Sequence, residues 1–117
     1  MLRRIVVGDE AEEEIRDIKR GYATRSSQRA SEFLSELRVA LRAVQEFPFS
    51  RAVWRSTEEM EIRRAKITRF PYYLFYFVYP SVDLQTGEPL DVIYILACRH
   101  ERQGEPPWTA RDPFRQL

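Results

Sequence analysis

The sequence contains one cysteine, Cys98, one histidine, His100, and no long run of apolar residues. A single cysteine cannot form an internal disulfide, which is typical of a protein from a reducing compartment. One cysteine and one histidine do not supply the four ligands of a structural zinc site, and no spacing of acidic residues completes such a set. We therefore expect neither a metal nor another cofactor. The absence of any run of ~18 apolar residues predicts that no segment spans a membrane.

Glycine is also scarce, with four residues in 117, and no glycine-rich phosphate loop or serine-centred nucleophile elbow occurs. The apolar stretch before Gly8 is too short for a secretory signal and is followed at once by acidic residues, so we expect a cytoplasmic protein. The net charge of +1 does not indicate nucleic-acid binding by itself. The length fits one domain over residues 1–117.

The first part of the chain predicts a strand followed by two helices. The strand covers Leu2–Val7, where β-branched residues are frequent. Asp9 can cap a first helix that runs to about Ala23, and Ser26 or Ser27 can cap a second one that ends before the next proline. Each helix has one apolar stripe, and the two stripes must be buried on a sheet.

The second part of the chain predicts that sheet. Residues 72–79 and 91–98 are apolar in both phases of strand alternation, so both runs should be covered on two faces and lie centrally, paired antiparallel. A basic segment, residues 62–69, precedes them and reads as a further strand. The expected fold class is α+β, with an N-terminal helical hairpin packed on a twisted antiparallel β-sheet.

The basic segment supplies the first candidate binding residues. Strand alternation puts Arg64 and Lys66 on one face. Ala65 and Ile67 lie on the other face, and we expect that apolar face to turn toward the helices. On the open face, Arg64 and Lys66 can hold a phosphate, the arginine as a bidentate fork and the lysine as a point charge. The alternative interpretation is a solvated sheet face on which both residues pair with nearby acids.

Further candidates follow at the end of the last strand. His100 lies close to arginines such as Arg102, and a histidine can act as an acid or a base near neutral pH. Cys98 and His100 share a strand face, which allows a nucleophilic pair, but a lone cysteine in an apolar strand is more often a core residue. Trp108 can stack on a base or cover the core.

Several short motifs occur in one order along almost the whole chain: Tyr22, Ala30-x-x-Phe33, Pro48, the basic strand, Phe70-Pro-Tyr72-x-Leu-Phe-Tyr76, His100-x-Arg102 and Pro107-Trp108. This ordered set resembles the RelE/ParE superfamily of bacterial toxins from type II toxin-antitoxin modules. The resemblance implies the same helical hairpin and sheet. It also implies a cognate antitoxin that wraps and silences the toxin, so that the two chains form a hetero-oligomer.

Members of that superfamily act in two ways, either by cutting mRNA in the ribosomal decoding site or by inhibiting DNA gyrase. The nuclease needs no metal, because the 2′-hydroxyl attacks the adjacent phosphate while protein groups supply a base, an acid and cations. For that activity the resemblance implies phosphate binding by Arg64, Lys66 and Arg102 and acid or base catalysis by His100. It also implies substrate contacts from Tyr73, Trp108 and Arg69.

The chain departs from the nuclease pattern at two positions. Tyr73 stands where these nucleases carry an arginine, and Trp108 stands at the position of their late tyrosine. Losing one phosphate-holding arginine would cost roughly 3 kcal/mol of transition-state stabilisation. The small net charge also fits poorly with binding to ribosomal RNA, where phosphate neutralisation dominates affinity. Both activities therefore stay open at the level of the sequence.

Overall fold

The computed structural model describes residues 2–114 and places two helices on one side of a five-stranded sheet. In chain order the elements are β1 (Leu2–Val7), α1 (Asp9–Ala23), α2 (Ser27–Glu46), β2 (Val53–Ser56), β3 (Glu61–Lys66), β4 (Tyr72–Val82), β5 (Pro89–His100) and a short 3₁₀ helix (Trp108–Arg111). Within these residues, no helix is long and apolar enough to cross a membrane.

The strands lie in the order β1-β5-β4-β3-β2, so the two long apolar strands occupy inner positions, as predicted. Neighbours among β2 to β5 are antiparallel, whereas β1 pairs with β5 in parallel. The α+β class with its N-terminal helical hairpin is confirmed, and the sheet is mixed because the first strand adds to one edge in the parallel direction.

The two helix starts differ in how they are capped. Ser26 caps α2 by accepting a hydrogen bond from the backbone N–H of Arg29 at 3.2 Å, which confirms that prediction. At α1 the prediction of Asp9 as the cap is wrong: Gly8 is the N-cap and Asp9 is the first helical residue. A Cβ at Gly8 would lie 2.7 Å from the Tyr94 hydroxyl oxygen, so a residue with a capping side chain does not fit there.

The sheet has an apolar core on each face. The helix-side core buries the stripes of both helices against the sheet and includes Phe33, Leu74, Tyr76, Ile93, Ile95 and Cys98. The other, tail-side core includes Met60, Ile62, Phe75, Phe77, Leu96, Ala97 and Trp108. Residues 104–114, which we call the C-terminal segment, cover part of this second face, and the segment contains the predicted short helical turn. The face opposite the helices is therefore open only in part.

Strand β5 contains a bulge that reverses its side-chain alternation. Phe75 pairs with Ala97, but the next residue of β4, Tyr76, pairs with Ile95, which leaves Leu96 as the extra residue. Leu96 and Ala97 both belong to the tail-side core. As a result, each residue of β5 after the bulge faces the side of the sheet opposite to the one that an unbroken alternation predicts.

Candidate functional site

Arg64 lies on the face of β3 opposite the helices, between two aromatic rings. Its guanidinium carbon is 3.7 Å from the centroid of the Trp54 ring and 4.3 Å from that of Tyr73. Trp54 comes from β2 and Tyr73 from β4, the two neighbours of β3, so the sheet itself sets the spacing. Among residues 2–114, the side chain of Arg64 makes no hydrogen bond and no ion pair. We call Trp54, Arg64 and Tyr73 the arginine clamp.

Lys66 lies on the same face, one alternation further along β3. Its Nζ is 5.2 Å from the centroid of the Tyr73 ring and 3.5 Å from Oε2 of Glu101. The two charged side chains are roughly half exposed, so this ion pair contributes less than about 1 kcal/mol. Ala65 and Ile67 are buried in the helix-side core, which confirms the predicted faces of this strand.

A cavity of about 130 Å³ opens beside the clamp. Its walls include the clamp residues, Arg99 from β5, and the loop that contains Gly104 and Glu105. The β5 bulge brings Arg99 to this side of the sheet, where its Nη2 donates to the carbonyl oxygen of Gly104 at 2.7 Å. Sequence reasoning missed both Trp54 and Arg99. In the sequence, Trp54 is only an aromatic residue next to Arg55, and Arg99 is only an arginine next to His100. Neither neighbour shows how the strands are paired.

Glu14 on α1 joins the helix layer to this side of the molecule. Its carboxylate accepts hydrogen bonds from the Cys98 backbone N–H at 3.1 Å, from Arg99 Nη1 at 3.1 Å and from Arg111 Nη1 at 2.9 Å. Strand β1 ends its pairing at Ile95, so the Cys98 N–H lies on an unpaired edge and needs a side-chain acceptor. We call Glu14, Arg99 and Arg111 the edge network.

His100 is the last residue of β5, and its ring turns toward the helix side of the sheet. Its ring packs edge-on against Tyr72, with centroids 5.2 Å apart, and its Nδ1 accepts a hydrogen bond from the Arg102 backbone N–H at 3.1 Å. His100 and Cys98 line a cleft of about 580 Å³ between α1 and the ends of β4 and β5. His100 also belongs to the lining of the cavity beside the clamp, so the structure places this residue at the edge of the Arg64 site, although its ring packs on Tyr72.

Cys98 is part of the helix-side core rather than a reactive group. The residue is almost fully buried, and burial, with a smaller contribution from the Glu14 carboxylate, raises the pKa of its thiol to about 12. A thiol with this pKa is protonated at neutral pH, so it is a poor nucleophile. This geometry agrees with the core interpretation of the cysteine and not with a Cys–His catalytic pair.

Arg69 and Arg102 lie at the same end of the sheet as the clamp. Arg69 occupies the turn between β3 and β4 with a φ of 68°, and Arg102 occupies the turn after β5. The backbone N–H of Glu101 donates to the carbonyl oxygen of Pro71 at 2.9 Å, which places these two turns side by side. Both arginines are exposed, so this end of the sheet is rich in cations.

Trp108 covers the core, as in the second of its two interpretations. The residue is 7% exposed, its ring centroid is 5.3 Å from that of Phe75, and its indole N–H donates to Glu105 at 3.2 Å. Burial raises the pKa of Glu105, but hydrogen bonds from Arg55 and Trp108 outweigh it and hold that pKa below its ordinary value. The predicted role of Trp108 in stacking on a base does not fit this position, because neither face of the ring is presented to solvent.

Within residues 2–114, no group of three or more His, Cys, Asp or Glu side chains is placed to hold a metal ion. The amino-acid sequence matches, over residues 5–104, the family described as the ParE toxin of the type II toxin-antitoxin system, parDE. A search of curated proteins found no match. The matched range contains both helices, the second half of β1, the other four strands and the arginine clamp, and it ends where the C-terminal segment begins.

Proposed function

Because the chain belongs to the ParE toxin family of type II toxin-antitoxin systems, we propose that it arrests growth by binding DNA gyrase, without catalysing a reaction. Membership of this family implies a cognate antitoxin as its partner. The choice of gyrase over mRNA rests on how the candidate residues are arranged around the sheet, together with the activities that the RelE/ParE resemblance implies.

The observation that carries this proposal is that the His100 ring packs on Tyr72 and is not turned toward Arg64 and Lys66. Metal-independent cleavage of RNA needs a base, an acid and phosphate-binding cations around one phosphate, each within about 3 Å of the atom that it serves. The His100 ring packs on Tyr72 of β4 on the helix side of the sheet, whereas Arg64 and Lys66 project from the opposite face. His100 borders the cavity beside Arg64, but its ring packs on Tyr72 and its Nδ1 already accepts a hydrogen bond from the Arg102 N–H, which disfavours a role as acid or base there.

Two further features support a binding function. Tyr73 fills the position at which the nucleases carry an arginine, and here it stacks on Arg64. Most charges on this face are already compensated: Lys66 pairs with Glu101 and Arg99 pairs with Glu14. A face of this kind suits contact with a protein surface better than neutralisation of a polyanion.

One observation favours the alternative, an mRNA endonuclease that acts on the ribosome. Arg64 has no acidic partner among residues 2–114, and the exposed Arg69 and Arg102 lie at the same end of the sheet. These three arginines could bind a nucleic-acid backbone together. Under this alternative, His100, which also borders the cavity beside Arg64, would have to turn its ring away from Tyr72 to act on the substrate.

The deciding experiment expresses the chain with and without its cognate antitoxin and follows gyrase and mRNA together. We expect growth arrest, filamentation and a DNA-damage response, loss of supercoiling by purified gyrase, and intact transcripts. His100→Ala should stay toxic, because inhibition of gyrase by binding needs no acid or base. Gyrase that keeps its supercoiling activity in the presence of the purified toxin would refute the proposal, and mapped cleavage of mRNA would support the alternative.

A further inference from the structure

We propose that the arginine clamp is a preformed receptor for one carboxylate of a protein partner. The inference deepens the proposed function and rests on it, since it takes an acidic side chain of gyrase as the group that the clamp binds. It also assigns a role to Trp54, which neither the sequence analysis nor the family match singles out. Trp54 is then a positioning residue: it contacts Arg64 and acts through it.

The clamp fixes the guanidinium before any partner arrives. The guanidinium carbon lies 3.7 Å from the Trp54 ring centroid and 4.3 Å from that of Tyr73, so the two rings hold the group from neighbouring strands and its N–H groups remain for hydrogen bonding. That edge presents a fork that matches the two oxygens of a carboxylate. An arginine held on a strand between two neighbouring strands loses little freedom on binding, which favours affinity.

The size of the neighbouring cavity sets a limit on the ligand. Its volume of about 130 Å³ corresponds to about four water molecules at 30 Å³ each. A carboxylate with one or two methylene groups, the end of an aspartate or glutamate side chain, fits this space. A nucleotide is several times larger, so only a small part of it would enter.

The charges around the cavity favour one carboxylate over a chain of phosphates. The basic side chains nearest to the clamp are each paired with an acid: Arg55 with Glu105, Lys66 with Glu101, and Arg99 with Glu14. Arg64 therefore carries the uncompensated charge of the site. A polyphosphate backbone would also meet the carboxylates of Glu101 and Glu105 at the rim, whereas a single carboxylate balances the single free charge.

The test measures binding of the purified full chain to immobilised gyrase by surface plasmon resonance. We expect Arg64→Gln to weaken binding about 30-fold or more, mainly through faster dissociation. Arg64→Lys should also bind weakly, because an ammonium cannot form the planar fork. Trp54→Leu should weaken binding about 3- to 10-fold through loss of the stacked ring, and Trp54→Phe should restore most of it.

Arg42→Gln is the matched control, because it removes the same charge from an exposed position on α2, in the helix layer. It should bind within about twofold of the wild type. The thermal unfolding midpoint of each variant shows whether it is folded. The graded series at Trp54 separates a positioning role from a structural one, since leucine and phenylalanine fill similar volumes but only phenylalanine can stack.

The outcomes separate this inference from the proposed function. If the wild-type chain does not bind gyrase, the proposed function fails, and this inference fails with it. If the wild type binds and Arg64→Gln binds equally well, the inference alone is overturned. If Arg64→Gln instead abolishes mRNA cleavage by an active wild type and leaves gyrase binding unchanged, the clamp is a phosphate site and the carboxylate assignment is wrong.

Discussion

Replacing Glu14 with glutamine tests whether the edge network holds the layers of this protein together. The Glu14 carboxylate accepts four hydrogen bonds, from the Cys98 backbone N–H, from Arg99 and from both terminal nitrogens of Arg111. Glutamine has nearly the same size but no charge, and its single carbonyl oxygen can keep only part of this set. The variant therefore leaves two arginines without their counter-charge.

The expected cost follows from how deeply these groups are buried. The side chains are 20% exposed for Glu14, 21% for Arg99 and 13% for Arg111, so water replaces the lost contacts only in part. Removing one partner of a fully buried ion pair costs about 3–5 kcal/mol. Partial exposure and the remaining amide contacts reduce this value, and we expect a loss of about 3 kcal/mol in the free energy of unfolding.

Urea unfolding followed by circular dichroism measures this loss, and a thermal scan should show a midpoint about 10 °C lower. The matched control is Glu12→Gln on the same helix, where Glu12 and Arg16 are 3.6 Å apart and both more than half exposed. That exposed pair should contribute less than about 0.5 kcal/mol. If Glu14→Gln costs no more than Glu12→Gln, the reasoning about the edge network is refuted.

Three other predictions concern the Cys98 thiol, the Tyr76 hydroxyl and two glycines of different surroundings. Because burial raises the pKa of the Cys98 thiol to about 12, iodoacetamide at pH 8 should leave the folded protein unmodified and alkylate it in urea; rapid alkylation of the folded protein would contradict this. Tyr76→Phe removes the 2.8 Å hydrogen bond from the buried hydroxyl to the Pro48 carbonyl oxygen. We expect a loss of about 2 kcal/mol in the free energy of unfolding, measured with urea. A loss near zero would mean that water satisfies that carbonyl oxygen. Gly21→Ala should stabilise α1 by about 1 kcal/mol, because the added methyl group meets no atom within 4 Å. Gly8→Ala should destabilise the fold, because its methyl group would meet the Tyr94 ring. Equal urea-unfolding midpoints for the two variants would contradict the packing around Gly8.

The positions of the helices and strands could be predicted because each depends on a local pattern. Residues 72–79 and 91–98 are apolar in both phases, and they form the centres of β4 and β5. Ser26 was identified as a cap from its own chemistry. The cap of α1 was missed by one residue, because the reason for Gly8 is a tyrosine more than eighty positions away, and a local pattern carries no information about such a contact.

The directions of side chains on β3 could also be predicted, because Ala65 and Ile67 mark the buried face of that strand. What the pattern did not show is how the opposite face is used. Trp54 reaches Arg64 from the next strand, and Trp108 covers Phe75 from the C-terminal segment. Both contacts join separate parts of the chain, so they depend on register and on the path of a loop rather than on spacing.

The direction of the His100 side chain has a physical cause in the bulge of β5. An unbroken alternation from Ile93 and Ile95 would turn Arg99 toward the helices and His100 toward the clamp, where a histidine could complete a nuclease site. The extra residue, Leu96, exchanges these two directions, so Arg99 reaches the clamp side and His100 meets the helix layer. A hydrophobic pattern fixes the phase of a strand only when its two faces differ in polarity. Because β5 is apolar on both faces, the same property that identified it as a central strand concealed its change of phase.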